Sequence, residues 1–339
     1  MTFDFLATLA KLALLAFILL NVAPVMSWVE RRGSAYMQDR PGPNRLGPLG
    51  LFQAIADGIK FLFKEDVTPA AADRPLYLMA PVLALVPSLT TIVVVPFGPT
   101  IEVAGRTVKL VVSDADAGVL LFLALASLGV YSLVIAGYAS NNKYSLFGSL
   151  RASAQMISYE LSLTLAVVAV LLPVGSLNLS AVVDYQREHL WFAIPQALGF
   201  FVFMIAAFAE TNRIPFDLPE AESELVAGYH TEYSALRFAS FMMGEYMNMA
   251  TLSALAATLF LGGWSLPWMD FGAGWAGGAL GLTVLLTKVA VFMAFFVWVR
   301  WTFPRFRYDQ LMRLGWKVLL PLAIVNVVFV AAATLAGWM

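Results

Sequence analysis

The chain has 339 residues, of which 60% are apolar and 13% charged, with a formal net charge of −1 and a mean hydropathy of +0.78. Soluble domains carry about a quarter charged residues, so this composition points to an integral membrane protein, and the near-zero charge argues against nucleic acid as a partner. With no cysteine there are no disulfides, thiolate-held iron–sulfur clusters or Cys-type zinc sites, and two histidines, His189 and His230, argue against a haem or zinc centre. Electrons moving near this chain would be carried by another one.

Apolar stretches long enough to span about 30 Å of hydrocarbon fall at 3–29, 76–97, 117–138, 155–173, 190–209, 235–262, 276–299 and 316–337. The first is preceded by Asp4 and is too long for a signal-peptide core, so it reads as a retained helix. The expected fold is an all-α integral membrane protein of about eight transmembrane helices, a single multi-pass domain over residues 1–339. The loops after the odd-numbered helices hold 16 of the 21 Lys and Arg. By the positive-inside rule these loops face the cytoplasm, which puts both termini on the other side.

The long first loop opens with E-R-R-G-S-A-Y-M-Q-D-R-P-G-P-N-R-L-G-P and carries Arg31 and Arg40; its prolines and glycines oppose a regular helix. Residues 49–64 then repeat with helical period. Phe52, Ile55, Ala56, Ile59, Leu62 and Phe63 share one face; Gln53, Asp57, Lys60 and Lys64 share another. Too short and polar to span, this stretch is expected to lie in the interface plane, either as a surface anchor or as a chamber wall with Asp57 and Lys60 turned inward. In the second loop, V-A-G-R-T-V suggests a short hairpin among mixed charges (Glu102, Arg106, Lys109, Asp114, Asp116).

The fourth helix contains S-A-Q-M-I-S-Y-E-L-S, placing Glu160 one or two turns inside beside hydroxyls; a neutral structural carboxyl and a protonatable group both fit. Between the fifth and sixth helices runs A-E-T-N-R-I-P-F-D-L-P-E-A-E-S-E-L-V-A-G. It concentrates Glu210, Asp217, Glu220, Glu222 and Glu224 against Arg213, and includes Phe216. A charge at the bilayer centre costs roughly 2.5–3.5 kcal/mol on insertion scales, so carboxylates this close to lipid imply a wet or protein-lined path. Pro219 at a first helical position would set Glu220 and Glu224 on one face, with the following acids near a helix N-terminus; that leaves Glu210, at the end of the preceding helix, unexplained. The sixth helix carries Glu232 near its start and Glu245 well inside, beside Gly244. Its methionines 242, 243, 247 and 249 read as packing. Lys288, half-way along the seventh helix, needs a partner or a water path, and one of the carboxylates is a candidate. In the last long basic segment, V-R-W-T-F-P-R-F-R-Y-D-Q-L-M-R-L-G-W-K, Arg300 and Asp309 are a candidate pair. Clustered carboxylates in low dielectric favour protonated forms and titrate as a set, so Glu160, Glu210, Glu220, Glu222, Glu224, Glu232 and Glu245 together are a candidate proton relay.

The segment E-T-N-R-I-P-F-D-L-P-E-A-E-S-E-L-V-A-G resembles the signature of the H subunit of NADH–quinone oxidoreductase, respiratory complex I (subunit 1 in mitochondria). R-P-G-P-N-R-L-G-P, A-D-G-I-K, Q-M-I-S-Y-E and the last basic segment are similar to that family too. The resemblance implies a membrane subunit of a proton-pumping NADH:quinone oxidoreductase with no redox centre of its own. It implies a quinone of the ubiquinone type as substrate and no covalently bound cofactor. NADH, FMN and iron–sulfur clusters would sit in partner subunits: peripheral quinone-module subunits, which supply the headgroup ligands, with small membrane subunits as further neighbours. Arg31, Arg40, Asp57, Lys60, Phe216, Asp217 and Arg300 are then expected to frame a quinone chamber opening to the lipid. The expected location is a bacterial cytoplasmic (inner) membrane. Three other readings stay open: the equivalent subunit of an energy-converting hydrogenase, a stand-alone proton-coupled transporter, and a structural anchor for a soluble enzyme.

Overall fold

A computed structural model describes residues 2–338 except 104, 219–224, 270 and 273. In chain order, α1 (Thr2–Met37) is followed by α2 (Gln53–Phe63), α3 (Arg74–Thr90), the strands β1 (Ile101–Val103) and β2 (Arg106–Val108), α4 (Gly118–Ala139), α5 (Lys143–Val174) and α6 (Leu179–Glu188). Then come α7 (Ala197–Glu210), α8 (Ala235–Phe260), α9 (Trp275–Thr302) and α10 (Tyr308–Leu335), which contains one π-helical stretch, Gly315–Leu319. Polar caps explain three of the starts. Asp73 accepts from the Leu76 amide at α3, Asn142 from Tyr144 at α5, and Asn178 from Ser180 at α6, each satisfying an amide with no partner inside its helix. Gly175 ends α5 in the left-handed conformation.

Among the described residues, six helices are long and apolar enough to cross a membrane: α1, α3, α4, α5, α9 and α10. The other two expected spans differ from these. α8 has 26 residues and is long enough, but Arg237, Glu245 and Asn248 lower its hydropathy. α7 has only 14 residues, about 21 Å at 1.5 Å per residue. The stretch expected to begin it, 190–196, forms turns instead, with the Ala193 amide on Phe260 O and the Gln196 side chain on Ala169 O. The largest boundary error concerns α5. Its polar first third, K-Y-S-L-F-G-S-L-R-A-S-A, hides a helix that starts at Lys143, so Glu160 sits mid-helix rather than one or two turns in. α1 likewise continues through E-R-R-G-S-A-Y-M, residues that the sequence assigns to the loop. The hairpin forms where expected, with Val103 opposite Arg106.

The loops sort onto two ends. At the connector end, the Asp73 amide bonds Ala139 O, Asn142 reaches Glu232, and the Phe306 amide bonds Pro215 O. At the hairpin end, Lys11 holds Val111 O, the Val119 amide bonds Leu177 O, and Gln186 bonds Thr258 O. The loops after the odd-numbered spans thus share one end, as their basic residues suggested. The main core lies among α5, α7, α8, α9 and α10, with Phe203, Met247, Leu255 and Phe260 fully buried. A second, aromatic core of Tyr77, Tyr229, Tyr233 and Phe241 sits at the connector end, where Tyr77 and Tyr233 stack at 4.2 Å.

Candidate functional site

Close helix approach builds the site. A Cβ on Gly244 would meet Ala84 O at 3.2 Å, so the missing side chain lets α8 lie tight against α3 and presents Glu245 and Tyr246 to the interior. On α5, a Cβ at Gly148 would sit 2.7 Å from the backbone of Gly228, and Ser145 Oγ donates to Tyr229 O at 2.9 Å. The far end of the acidic connector is thereby pinned against α5.

Four charges converge there from α1, α8, α9 and the connector. Arg300 Nη1 meets Glu30 Oε2 at 2.6 Å. Arg213 Nη1 lies 3.5 Å from Glu30 Oε1, and its Nη2 lies 3.6 Å from Glu245 Oε2. Tyr246 donates to Glu30 Oε2 at 2.9 Å, and Tyr229 to Glu245 Oε1 at 3.2 Å. The Arg213 guanidinium also sits 4.2 Å from the Tyr246 ring centre. Two carboxylates face two guanidiniums, so the buried group is charge-balanced, and the tyrosine hydroxyls satisfy further lone pairs. Desolvated charges need this complete pairing. Nearby, Arg305 Nη2 holds Asp217 Oδ2 at 2.8 Å, and Phe216 is buried between Tyr159 and Phe306.

Two small cavities adjoin this group. The smaller is lined by Asn212, Arg213, Ile214, Asp217, Glu245 and Arg300. The larger reaches Ser88, Ser132, Glu210, Tyr229, Glu245 and Asn248, and Asn212 as well. Asn212 and Glu245 therefore line both. Glu210 is buried, and its Oε2 has no hydrogen-bond partner among the described residues. Glu160, on α5, accepts a bond from Ser127 Oγ of α4 and stands near Glu210.

The remaining expected residues fall elsewhere. Arg31 pairs with Asp57 at 2.6 Å, and Lys60 stands 3.9 Å from Asp57, so these three form a patch where α1 meets α2. Arg40 bonds Gln38 in the first loop. Glu232 accepts from Asn142 Nδ2 at 2.6 Å, off both cavities. Glu220, Glu222 and Glu224 lie outside the described residues. Two expected pairings do not form. Arg300 turns to Glu30, while Asp309 takes Arg307 Nε at 3.1 Å on the surface. Among the described residues Lys288 meets no carboxylate: its Nζ donates to Leu261 O, Gly263 O and Ser265 O at 2.6, 2.7 and 2.7 Å. Leu261 and the turn beyond it end α8, where backbone carbonyls have lost their helical donors, and that satisfies the ammonium.

Sequence reasoning missed Glu30, the acid that both arginines share. Its signal was an acid closing an apolar run just before two arginines, which read as the start of a loop. Gln155 and Asn212 sat inside quoted motifs but, being unable to ionise, drew no attention. Among the described residues no group of three or more His, Cys, Asp or Glu is placed to hold a metal.

Apolar spanning helices around a buried, charge-balanced cluster define a multi-pass membrane protein with an ionisable interior. The NADH dehydrogenase family matches residues 9–331. The chain is 49% identical over 335 residues to the NADH-quinone oxidoreductase H subunit (form 1) of Geobacter metallireducens, covering 99% of this chain and 97% of the relative. It is 51% identical over 327 residues to the H subunit of Thermomicrobium roseum, 93% of each. It is 44% identical over 319 residues to the H subunit (form 1) of Cytophaga hutchinsonii, again 93% of each. The chain belongs to the family of NADH–quinone oxidoreductase H subunits, and is thus a membrane subunit of an enzyme complex.

Proposed function

We propose that this subunit forms part of the wall of a quinone chamber and links quinone reduction to proton translocation through its buried carboxylates. The observation that carries the reading is the shared wall of the two cavities. Glu245 and Asn212 touch both the space lined by Asp217, Arg213 and Arg300 and the space lined by Glu210. A charge change on the first side is therefore one side chain away from the second. Quinone reduction takes up protons and changes charge. At Asp217 and Arg300 that change would disturb the balance of the Glu30–Arg213–Glu245–Arg300 group. Glu245 would pass it to Glu210 and Glu160, which among the described residues have no cation paired with them to fix their protonation. The relay then reduces to Glu245, Glu210 and Glu160, with Glu220, Glu222 and Glu224 as the connector's contribution and Glu232 as a side branch.

The excess of Lys and Arg on the connector end supports placing that end in the cytoplasm and both termini opposite, in a bacterial inner membrane. Eight crossings follow if α8 and α7, the latter lengthened by the turns before it, join the six apolar spans. α2 leaves Ile55, Ile59, Leu62 and Phe63 exposed and would lie in the lipid interface, with the Arg31–Asp57–Lys60 patch and Arg40 beside the opening. Quinone-module and small membrane subunits would cover the remaining charged and apolar faces, with the flavin and iron–sulfur clusters held in partner subunits outside this chain.

Glu210→Gln and Glu160→Gln, each in the assembled complex, test the relay. The expected outcome is fewer protons moved per NADH oxidised in sealed vesicles; parental stoichiometry in both variants removes these residues from the scheme.

A further inference from the structure

Gln155 is fully buried on α5. Its Nε2 lies 2.9 Å from Ala209 O, 2.8 Å from Phe216 O and 3.2 Å from Asn212 Oδ1. Backbone carbonyls only accept, so the amide nitrogen and not the amide oxygen must face them. An NH2 group has two hydrogens, and the two shorter contacts take them; Asn212 Oδ1 is the weaker, competing third. The Gln155 Oε1 has no partner among the described residues, so the side chain acts here as a donor only.

The positions of the two carbonyls matter. Ala209 directly precedes Glu210, the last residue of α7, and Phe216 directly precedes Asp217, the ion-pair partner of Arg305. Asn212, the third acceptor, lines both cavities. One side chain thus spans the turn joining the carboxyl on the larger cavity to the carboxyl on the smaller. α5 also carries Glu160, five residues further on, so the same helix holds the turn and a second acid of the proposed relay.

We propose that Gln155 is a positioning residue that ties the backbone before Asp217 to the backbone before Glu210, so that a displacement of the connector at the quinone side moves the Glu210 carboxyl with it. Without the tie, Arg305 and the bond from the Phe306 amide to Pro215 O still hold the Asp217 side, and the turn keeps its local backbone bonds, Asn212 amide to Ala209 O and Phe216 amide to Arg213 O, but among the described residues it loses the one side chain that bonds both its ends. This inference rests on the relay reading above.

The test uses Gln155→Met, close in volume but unable to donate, in the intact membrane-embedded complex. Protons moved per NADH oxidised by the membrane's own quinone are measured in sealed inverted vesicles. The ratio is independent of how much complex assembles, so a merely structural role leaves it unmoved. The expected result is a fall of at least about two-fold, the lower end of what residues along a coupling route contribute, and a parental ratio overturns the proposal. Gln155→Asn keeps the amide but is one methylene too short to reach both carbonyls, and the same fall is expected. It carries the test if the methionine variant does not assemble; failure of both to assemble assigns Gln155 to folding alone and also overturns the proposal. Glu210→Gln run in parallel separates the two claims. If it pumps at the parental ratio, the relay reading fails and takes this inference with it. If it lowers the ratio while Gln155→Met does not, the tie alone is refuted.

Discussion

Two pairs of carboxylates in this subunit, each with one buried and one half-buried member, are built on opposite principles. Glu30 and Glu245 are locked by Arg213, Arg300 and two tyrosine hydroxyls. Glu210 and Glu160 lie near each other with no such clamp: Glu160 takes a serine hydroxyl from α4, and one oxygen of Glu210 has no partner among the described residues. A carboxylate held by a guanidinium keeps its charge, because protonating it would break the pair. One held by nothing charged has two protonation states closer in energy and responds to what its neighbours do. Under the proposed relay, the first group would hold charge and the second would change it. Glu245, which lines both cavities, is where they meet.

The comparison is broken hardest by Arg213→Met. Removing one cation from two facing carboxylates leaves an uncompensated buried charge, a loss of about 3–5 kcal/mol in comparable buried pairs. The expected outcome is a large drop in assembled complex on native gels, and in the thermal midpoint of what remains. Glu210→Gln removes no partner from any charge and should lower that midpoint far less. Equal losses in the two variants would erase the distinction between locked and free carboxylates.

Lys288 sharpens the same comparison, since it is a half-buried charge whose hydrogen bonds among the described residues all go to backbone. Lys288→Met leaves the carbonyls of Leu261, Gly263 and Ser265 without their common donor. The substitution takes the charge away with the ammonium, so only neutral carbonyls are stranded, and at a helix end these recover donors from water, for a net loss of about 1–3 kcal/mol in all. A drop in thermal midpoint smaller than that of Arg213→Met is expected, with the proton-to-NADH ratio of the surviving complex intact. A fall in that ratio would place Lys288 in the relay after all.

How much of this was legible beforehand follows from what each feature depends on. Long apolar runs announced the helices, because hydrocarbon selects for length and composition alone. α7 escaped because 190–196 is apolar but is held in turns by carbonyls of other helices, which only the tertiary structure supplies. The true start of α5 escaped because its first turns face protein and water at the connector end, where polar residues serve as well as apolar ones. Glu210, Asp217 and Glu245 were visible as charges out of place. Their partners were not, since Glu30 and Arg300 lie 270 positions apart and no local pattern links them. The partner of Lys288 stayed open for the reverse reason: charge invites a search for opposite charge, whereas the carbonyls ending a helix carry no mark in the sequence.

The smallest expected effect lies at the hairpin end, away from both groups. Burial alone would lift the Asp114 carboxyl, but bonds from Lys109, Asn178 and Ser180 outweigh it and hold it below the ordinary 3.8. Lys109 is in turn pushed up, mainly by its hydrogen bond to Asp114. A depressed carboxyl contributes its stability in full above the unfolded value and loses it as the pH falls through 3.8 toward the lower folded value. Asp114→Asn should therefore lower the thermal midpoint slightly at about pH 6, by the equivalent of no more than about 1 kcal/mol for so exposed a pair. The gap to the parent should shrink as the pH drops below about 4, where the parent's carboxylate begins to take up a proton. Because Asp114 bonds Asn178 and Ser180, the variant loosens only the start of α6 and leaves the proton-to-NADH ratio untouched. A gap that instead widens in acid would mean that the Asp114 carboxyl is lifted by its burial and is not depressed by its donors.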